Sequence, residues 1–283
     1  MGPNFMTSIV TGFEIAAGIN AETLKRSSAM ARPPCCTILL DQTNAGMNAY
    51  TERLRSMALQ AGIKLETETY PANAVDLFER ITVLRDDPVV DAVATLYPLP
   101  SGVEPVDLAL ALGPDKDIDG LHPLHAGRLA LGVPSRAPAT AQACLLMAQE
   151  LAGSLKGKNV TIIGASRIVG RPLAQMLLDQ EATVSITHAA TRDLPSYTLR
   201  SDIIITAAGV PKLLDANHVA KGAIVIDVAI NRTAIGLVGD ADQAALSGIA
   251  SVITHVPDGI GPVTTACLFR NILEAAETAS SIV

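Results

Sequence analysis

The chain has 283 residues, of which 49% are hydrophobic and 17% charged, with a formal net charge of -7. That length and apolar content suffice for two buried cores. The acidic balance, without any dense run of Lys or Arg, excludes a nucleic-acid face, because phosphate neutralisation needs clustered cations. No apolar run reaches the roughly 18 residues of a membrane span, and residues 1–18 lack a basic segment followed by an unbroken apolar stretch. The expected setting is therefore the cytoplasm, with a small metabolite as partner and neither nucleic acid nor membrane.

Strand-like apolar runs alternate with helix-like segments along most of the chain, the pattern of an α/β protein with helix-covered parallel sheets. The first strand is read at Thr37–Leu40, opened by the adjacent Cys35 and Cys36. A helix follows over 46–61, with Met47, Tyr50, Leu54, Met57 and Ala61 on one face. Lys64–Thr69 reads as a second strand, 74–85 as a helix, and 89–95 as a third strand running into Leu96, Tyr97, Pro98, Leu99 and Pro100. Residues 113–123 and 132–138 are rich in turn formers. A helix near 140–151 then enters a second domain, whose strands are read at 160–163, 183–187, 202–206, 224–228 and 252–254. Five short strands of this kind make a Rossmann-type nucleotide domain. The last segment, 263–280, is helical and returns to the first domain. The expected division is 1–139 with 264–283, and 140–263. There is no internal repeat and no low-complexity tract.

Cys35, Cys36, Cys144 and Cys267 form no CxxC and are expected as buried thiols. The histidines at 122, 125, 188, 218 and 255 form no HxxxH or Cys/His cluster, so no metal is expected.

The strand at 160–163 runs directly into Gly164, Ala165, Ser166, Arg167, Ile168, Val169, Gly170, Arg171 and Pro172, followed by a helix. Glycine permits close approach of a pyrophosphate, and a helix N-terminus offers free N–H groups to it. The spacing is not GxGxxG, so the glycines alone leave a plain βα turn as an equal reading. The next strand ends at Thr187, His188, Ala189, Ala190 and Thr191, without an acidic residue for an adenosine ribose or a basic one for a 2′-phosphate. This tilts the cofactor towards NAD over NADP, although Arg167, Arg171 and Arg192 lie nearby in sequence.

Residues 164–172 resemble the G-x-S-x-I-V-G-x-P loop of the methylenetetrahydrofolate dehydrogenase/cyclohydrolase (FolD) family, and further segments match in the same order. Residues 114–123 resemble its P-x-K-D-V-D-G-F/L-H-P, in which the second aspartate, here Asp119, contacts the pterin. Residues 224–232 resemble V-I-D-V-G-I-N, with Ala229 for glycine, and 238–240 the V-G-D that follows. Residues 257–264 resemble P-G-G-V-G-P-M-T, with Asp258 for a glycine, and His255 replaces a proline in the preceding T-P-V-P. The resemblance spans about 35–275. It implies a two-domain enzyme, commonly a homodimer, with Tyr50, Pro98, Leu99, Asp119, Pro262, Val263 and Thr264 beside a reduced folate. On the NAD(P) side it implies Gly164, Ala165, Ser166, Arg167, Ile168, His188, Ala208, Gly209 and Ile230.

The departures carry the mechanism. The family's Y-x-x-x-K places tyrosine and lysine on one helical face, and its V-Q-L-P-L-P supplies a glutamine to that lysine. Here Tyr50 is followed by Leu54 in the lysine position, and Leu96 takes the glutamine position. Residues 139–142 also depart from the family's C-T-P. Hydride transfer from the methylene carbon needs orientation of two rings. Hydrolysis of the methenyl product needs water to add and protons to move, which a tuned lysine assists and leucine cannot. Arg53 and Arg55 flank the position, but a guanidinium stays protonated and the helical phase turns both away.

The expectation is oxidation of 5,10-methylenetetrahydrofolate to the methenyl form with NAD(P), without efficient cyclohydrolase activity. The alternatives are a non-catalytic pterin binder, a relative with another one-carbon pterin as substrate, and a bifunctional dehydrogenase/cyclohydrolase. Apart from the family pattern, Leu54 has core spacing and Asp119 lies in a Gly-flanked turn, so packing and turn formation account for each alone. Asp227 is expected to accept hydrogen bonds at its strand end. Asp258 is expected as a solvated turn residue, or as a charge attracting the cationic methenyl product.

Overall fold

The computed structural model describes residues 6–71, 73–234 and 236–280. Its backbone falls into two compact units, Met1–Ala16 with Thr140–Thr264, and Ala17–Ala139 with Thr265–Val283. Residues 1–5 and 281–283, both within the first expected domain, lie outside the described residues.

In chain order the elements begin with β1 (Ser8–Val10), α1 (Phe13–Ser27), β2 (Cys35–Leu40), α2 (Ala45–Gln60), β3 (Lys64–Thr69), α3 (Ala74–Asp86) and β4 (Ala92–Thr95). Next come α4 (Pro105–Leu112), α5 (Pro123–Ala130), α6 (Ala139–Ala152), β5 (Asn159–Ile163), α7 (Gly170–Asp179) and β6 (Thr183–Thr187). The remainder is α8 (Pro195–Thr198), β7 (Ile203–Thr206), β8 (Ile224–Asp227), the hairpin β9 (Asn231–Thr233) and β10 (Gly236–Val238), β11 (Val252–Thr254) and α9 (Ile260–Ser280).

The unit that holds residues 17–139 is built on a parallel sheet of order β3-β2-β4. Every residue of central β2 is buried, because helices cover both faces of such a strand and leave no polar side. Asn44 caps α2 by accepting from the N–H groups of Gly46 and Met47, and Asn73 caps α3 through Asp76 N–H. One face of the sheet packs Ile38, Leu54, Ala58 and Ile118 against Phe269 and Ile272 of α9. The C-terminal helix thus completes this core. The other face packs Leu39 and Val93 against Leu77, Ile81 and Leu84 of α3 and Leu108 of α4.

Residues 89–91, expected as strand, precede β4. Residues 105–112 and 123–130 are helices α4 and α5, although 113–123 and 132–138 had suggested turns around them. Each of these helices starts with proline at its first positions, where a missing N–H costs nothing.

The other unit has a six-stranded parallel sheet of order β1-β11-β8-β7-β5-β6. Five strands were expected. The sixth is β1, which pairs in parallel with β11 and is anchored by Ser8 N–H to Ser251 O (2.9 Å) and His255 N–H to Val10 O (2.7 Å). Those bonds group the first residues with this sheet, whereas the sequence had suggested placing them with the other domain. Ile204, Val225 and Ile253 form its core with Leu214, Val219 and Leu246.

All four cysteines are buried and free.

Candidate active site

The carboxyl ends of parallel strands gather the loops from which side chains reach a ligand. In the first sheet, Asp41 follows β2, Tyr70 follows β3, and Leu96 and Tyr97 follow β4. Backbone bonds from Tyr70 N–H to Leu40 O and from Leu96 N–H to Leu39 O, each 2.9 Å, hold the three exits side by side. The Tyr97–Pro98 peptide is cis. Pro98 is exposed, whereas Leu99 packs against the apolar face beneath α3.

Asp119 reaches the same end on a turn wired by buried polar groups. Asp117 bridges to Val93 beside β4, accepts Asp119 N–H through Oδ1 (3.1 Å) and accepts His122 N–H through Oδ2 (2.7 Å). Arg136 donates to the carbonyls of Pro114 (2.8 Å) and Asp115 (2.6 Å), and Asn271 of α9 donates to Ile118 O (2.8 Å) and Ala137 O (3.0 Å). Gly120, at φ +66, sits where an added Cβ would lie 3.0 Å from the Arg136 and Ala137 backbone. Burial, reinforced by Asp117, pushes the Asp119 carboxyl up to about 7. His122 plays the structural part open to it, capping α5 through Nδ1 and Leu124 N–H.

Asp119 also acts on three phenols. Burial raises the Tyr50 hydroxyl above its ordinary value, with Asp119 adding to the rise and Arg53 opposing it. Tyr97 is 47% exposed as a residue, yet partial burial with Asp119 and Asp117 pushes its hydroxyl up to about 12. The Tyr70 hydroxyl is raised by burial and by Tyr97, Asp41 and Asp119, and it is buried with no hydrogen-bond partner among the described residues. Three phenols are therefore within electrostatic reach of a carboxyl pushed towards neutrality.

Tyr50 and Leu54 share a face of α2, but only Tyr50 remains partly accessible. Leu54 is 1% exposed and belongs to the core with Ile118 and Phe269, while Leu96 packs against that same cluster. The position where the motif has lysine is thus filled by packed hydrocarbon. Arg55 turns away to Glu52 (2.9 Å) and Thr67 (2.8 Å), whereas Arg53 lies with its guanidinium carbon 5.7 Å from the centre of the Tyr50 ring. The unit contains three lysines, Lys25, Lys64 and Lys116. They are committed to Glu22, to Glu66, and to the carbonyls of Leu84 and Asp87, respectively.

In the six-stranded sheet the order reverses at β5, which has β6 on one side and β7 on the other. Such a switch point leaves a crevice for a nucleotide. Gly164 leaves β5 at φ +114, and an added Cβ would fall 2.4 Å from Ala207 O; one on Gly170 would fall 1.8 Å from Gly164 O. Only glycine allows these segments to close up. Ser166 Oγ caps the following turn through Val169 N–H (3.1 Å). The N–H groups of Ala165, Ser166, Arg167 and Ile168 donate to no acceptor among the described residues. A loop of unpaired N–H groups ahead of α7 fits the pyrophosphate of a dinucleotide. His188 follows β6, exposed, with Nδ1 accepting Ala190 N–H (3.2 Å) and its own N–H bound to Thr191 Oγ1 (2.9 Å).

Two buried carboxylates brace the facing loops. Asp227, at the end of β8, accepts N–H groups from Ala229 and Asp240 through Oδ1 and from Ala241 through Oδ2, as expected of a strand-end aspartate. Burial nevertheless pushes its carboxyl up to about 6, despite those donors. Asp240 is fully buried and accepts from Thr206 Oγ1, from Ala208, Gly209 and Val210 N–H, and from Asn231 Nδ2. It thereby fixes the exposed backbone of 208–210, while Ile230 stands 53% exposed beside the hairpin.

Pro262, Val263 and Thr264, implied by the resemblance to lie beside the folate, are in the first turn of α9, and the Val263 side chain is buried. Asp258 Oδ2 lies 3.2 Å from His255 Nδ1, so its charge has a neighbour in the loop. The contact lacks hydrogen-bond geometry, since His255 Nδ1 has no hydrogen-bond partner.

Sequence reasoning missed Tyr70, Tyr97 and the bracing role of Asp240. Tyr97 was visible as a phenol in the leucine position of V-Q-L-P-L-P. Tyr70, one residue beyond a strand, carried a positional signal. Nothing local marked Asp240 as a receiver of so many donors.

Fold and site together define an NAD(P)-linked oxidoreductase with a separate α/β unit for its substrate. The tetrahydrofolate dehydrogenase/cyclohydrolase catalytic-domain model matches residues 10–119, and the NAD(P)-binding-domain model of the same family matches residues 138–280. The chain belongs to the tetrahydrofolate dehydrogenase/cyclohydrolase family. The bifunctional protein FolD of Variovorax paradoxus is 38% identical over 278 residues, covering 96% of this chain and 98% of that protein. The bifunctional FolD of Campylobacter jejuni superposes with a TM-score of 0.91 at 34% identity, covering 96% of this chain and 99% of the other. The Trypanosoma brucei enzyme, solved with NADP and an inhibitor, gives 0.89 at 27% identity, covering 97% and 99%. Among the described residues no helix is long and apolar enough to cross a membrane.

Proposed function

We propose that this protein oxidises 5,10-methylenetetrahydrofolate to 5,10-methenyltetrahydrofolate, with NAD preferred to NADP, and that it does not efficiently hydrolyse the methenyl product. The dehydrogenase half is supported by the phosphate loop, by the Asp240-braced 208–210 segment and by the Asp119 turn. The observation that carries the second half is the commitment of every lysine in the unit to partners elsewhere, with Leu54 in the core and Leu96 against it.

When bound, a nicotinamide would supply the hydride acceptor. The chain's part is positional: the amides of 165–168 would hold the pyrophosphate, and Tyr50 and Asp119 would orient the pterin. Addition of water to the methenyl carbon, and opening of the ring, require proton movement at the bridging nitrogens. Leu54 and Leu96 offer no group for it. NAD is supported by exposed Ala189 and Ala190 after β6, which present no cation to a 2′-phosphate.

A second reading, oxidation of a different one-carbon pterin, is favoured by Tyr70 and Tyr97, which follow β3 and β4 at the strand end that Asp119 influences electrostatically. The resemblance implies a homodimer, which light scattering on the purified protein tests; the cytoplasm is the setting expected from the sequence.

The deciding experiment is oxidation of methylenetetrahydrofolate with each cofactor in turn, with 10-formyl product measured in parallel. Methenyl accumulation with NAD, and 10-formyl formation no faster than in buffer, is the expected result. Enzymatic 10-formyl formation far above the buffer rate would make the protein bifunctional, and tight binding without turnover would make it a binder.

A further inference from the structure

Arg53 is an exception among the cations of its unit. Arg26 pairs with Glu277, Arg32 with Asp91, Arg55 with Glu52, Arg80 with Glu68 and Arg85 with Asp86. Arg128 and Arg136 donate to backbone carbonyls, and Arg270 to Cys267 Sγ. The lysines are committed as described above. Arg53 alone, among the described residues of this unit, gives its guanidinium to no oxygen or sulfur; its contact is the face of Tyr50.

That choice has a physical consequence. A guanidinium stacked on an aromatic face keeps its N–H edge free, because the π contact uses the plane and leaves the in-plane donors unspent. Arg53 is exposed, so the donors face solvent at the rim, one residue before Leu54 and three after Tyr50. Asp41, Asp117 and Asp119 lie at this strand end, and Arg55 nearby is already committed to Glu52 and Thr67. An anionic ligand therefore has one uncommitted cation of this helix to bind there.

We propose that Arg53 is the anchor for the carboxylate-bearing tail of the ligand held beside Tyr50, a subsite distinct from the Asp119 end that meets the pterin. The inference rests on the folate reading, since a reduced folate carries a neutral pterin at one end and glutamyl carboxylates at the other. Asp119 and the phenols suit the hydrogen-bonding ring. Arg53 suits the dianionic tail, to which it donates two parallel N–H bonds. The Tyr50 ring, its centre 5.7 Å from the guanidinium carbon, restricts the Arg53 side chain before the ligand arrives, which lowers the ordering cost of the pair.

The test compares tetrahydrofolate with tetrahydropteroate, the same molecule without its glutamate, by calorimetric titration of the full-length protein and of Arg53→Met and Arg53→Lys. Methylene-loaded forms of both ligands are assayed alongside. The wild type is expected to bind the glutamylated ligand about tenfold more tightly, a rim-exposed charge pair of two bonds. Arg53→Met is expected to remove that preference, to change kcat less than about twofold and to leave the thermal midpoint in place. Arg53→Lys is expected to keep part of the preference, and rising salt to weaken it only where a cation remains.

Equal binding of the two ligands by the wild type overturns the proposal, as does an unchanged preference in Arg53→Met. Absence of turnover with the calorimetric preference intact overturns the functional reading and leaves the Arg53 assignment standing. Failure of the wild type to bind either ligand overturns both. If Arg53→Met lowers the thermal midpoint, Arg53→Lys alone decides, and loss of all preference in that stable variant counts against the proposal.

Discussion

Leu54 of α2 and Leu96 after β4 meet one apolar cluster, Leu54 as a fully buried member and Leu96 packed on its edge. Two positions that the family motif gives to a lysine and a glutamine are thus both aliphatic and packed against one cluster. Converting one alone would leave an amine in hydrocarbon or an amide without its partner, and either costs more than the pair of leucines.

Restoring the amine therefore carries a stability cost. Leu54→Lys is expected to destabilise the fold by on the order of 3 kcal/mol, the penalty of an unpaired charge at a site 1% exposed. Leu54→Lys with Leu96→Gln is expected to recover part of that loss and to raise 10-formyl formation above that of either single variant. Urea denaturation and the methenyl hydrolysis assay check the two halves, and a single variant as stable as its parent would count against the buried assignment of residue 54.

Asp119 and Asp227 set a pH dependence with a definite sign. Both carboxyls are raised in the folded state, to about 7 and about 6, mainly by burial, so each binds its proton more tightly folded than unfolded. Their contribution favours the fold most below the unfolded value near 4. It declines as pH rises through the interval up to about 6 for Asp227 and about 7 for Asp119. Unfolding free energies measured between pH 4.5 and 8 are expected to show Asp119→Asn flattening the upper part of that decline. An identical slope in the variant would show that Asp119 titrates as an ordinary carboxylate.

Asp240 holds three consecutive amides in place, and its loss is expected to act on stability and cofactor together. Asp240→Ala leaves the donors of Ala208, Gly209, Val210, Thr206 and Asn231 without their acceptor. A cost of about 3–5 kcal/mol follows from breaking a buried charged network. NAD titration of the folded fraction is expected to show weaker binding, since the exposed 208–210 backbone loses its brace. Unaltered affinity would separate this loop from the nucleotide site.

Cofactor preference is expected to respond to residue 189. Ala189→Arg places a guanidinium after β6, where a 2′-phosphate would meet it, and is expected to move the ratio of kcat/KM for NADP over NAD upward by about tenfold. Steady-state kinetics with both cofactors decide the matter; a ratio that does not move would mean that the ribose is read elsewhere.

The segments that sequence patterning located well owe their signal to local chemistry. Lys64–Thr69, Thr183–Thr187 and Val252–Thr254 are strands over the residues expected, because short apolar or β-branched runs bounded by turn formers have few other uses. Helices α4 and α5 escaped because proline at a helix start has the same one-dimensional signature as proline in a turn. β1 escaped because three partly exposed residues become a strand only when β11, more than two hundred positions away, supplies the hydrogen bonds.

The candidate site divides in the same way. The Gly164–Gly170 loop and the Asp119 turn are legible in the chain because glycine spacing and motif order are properties of neighbouring residues. Whether Leu54 faces a cleft or a core, which carboxyl is pushed towards neutrality, and which arginine remains uncommitted all depend on residues that meet only after folding. Burial, charge pairing and desolvation are sums over neighbours distant in sequence. The amino-acid order alone established the α/β class and the chemistry available at each position; the tertiary arrangement decided which of those groups are free to act.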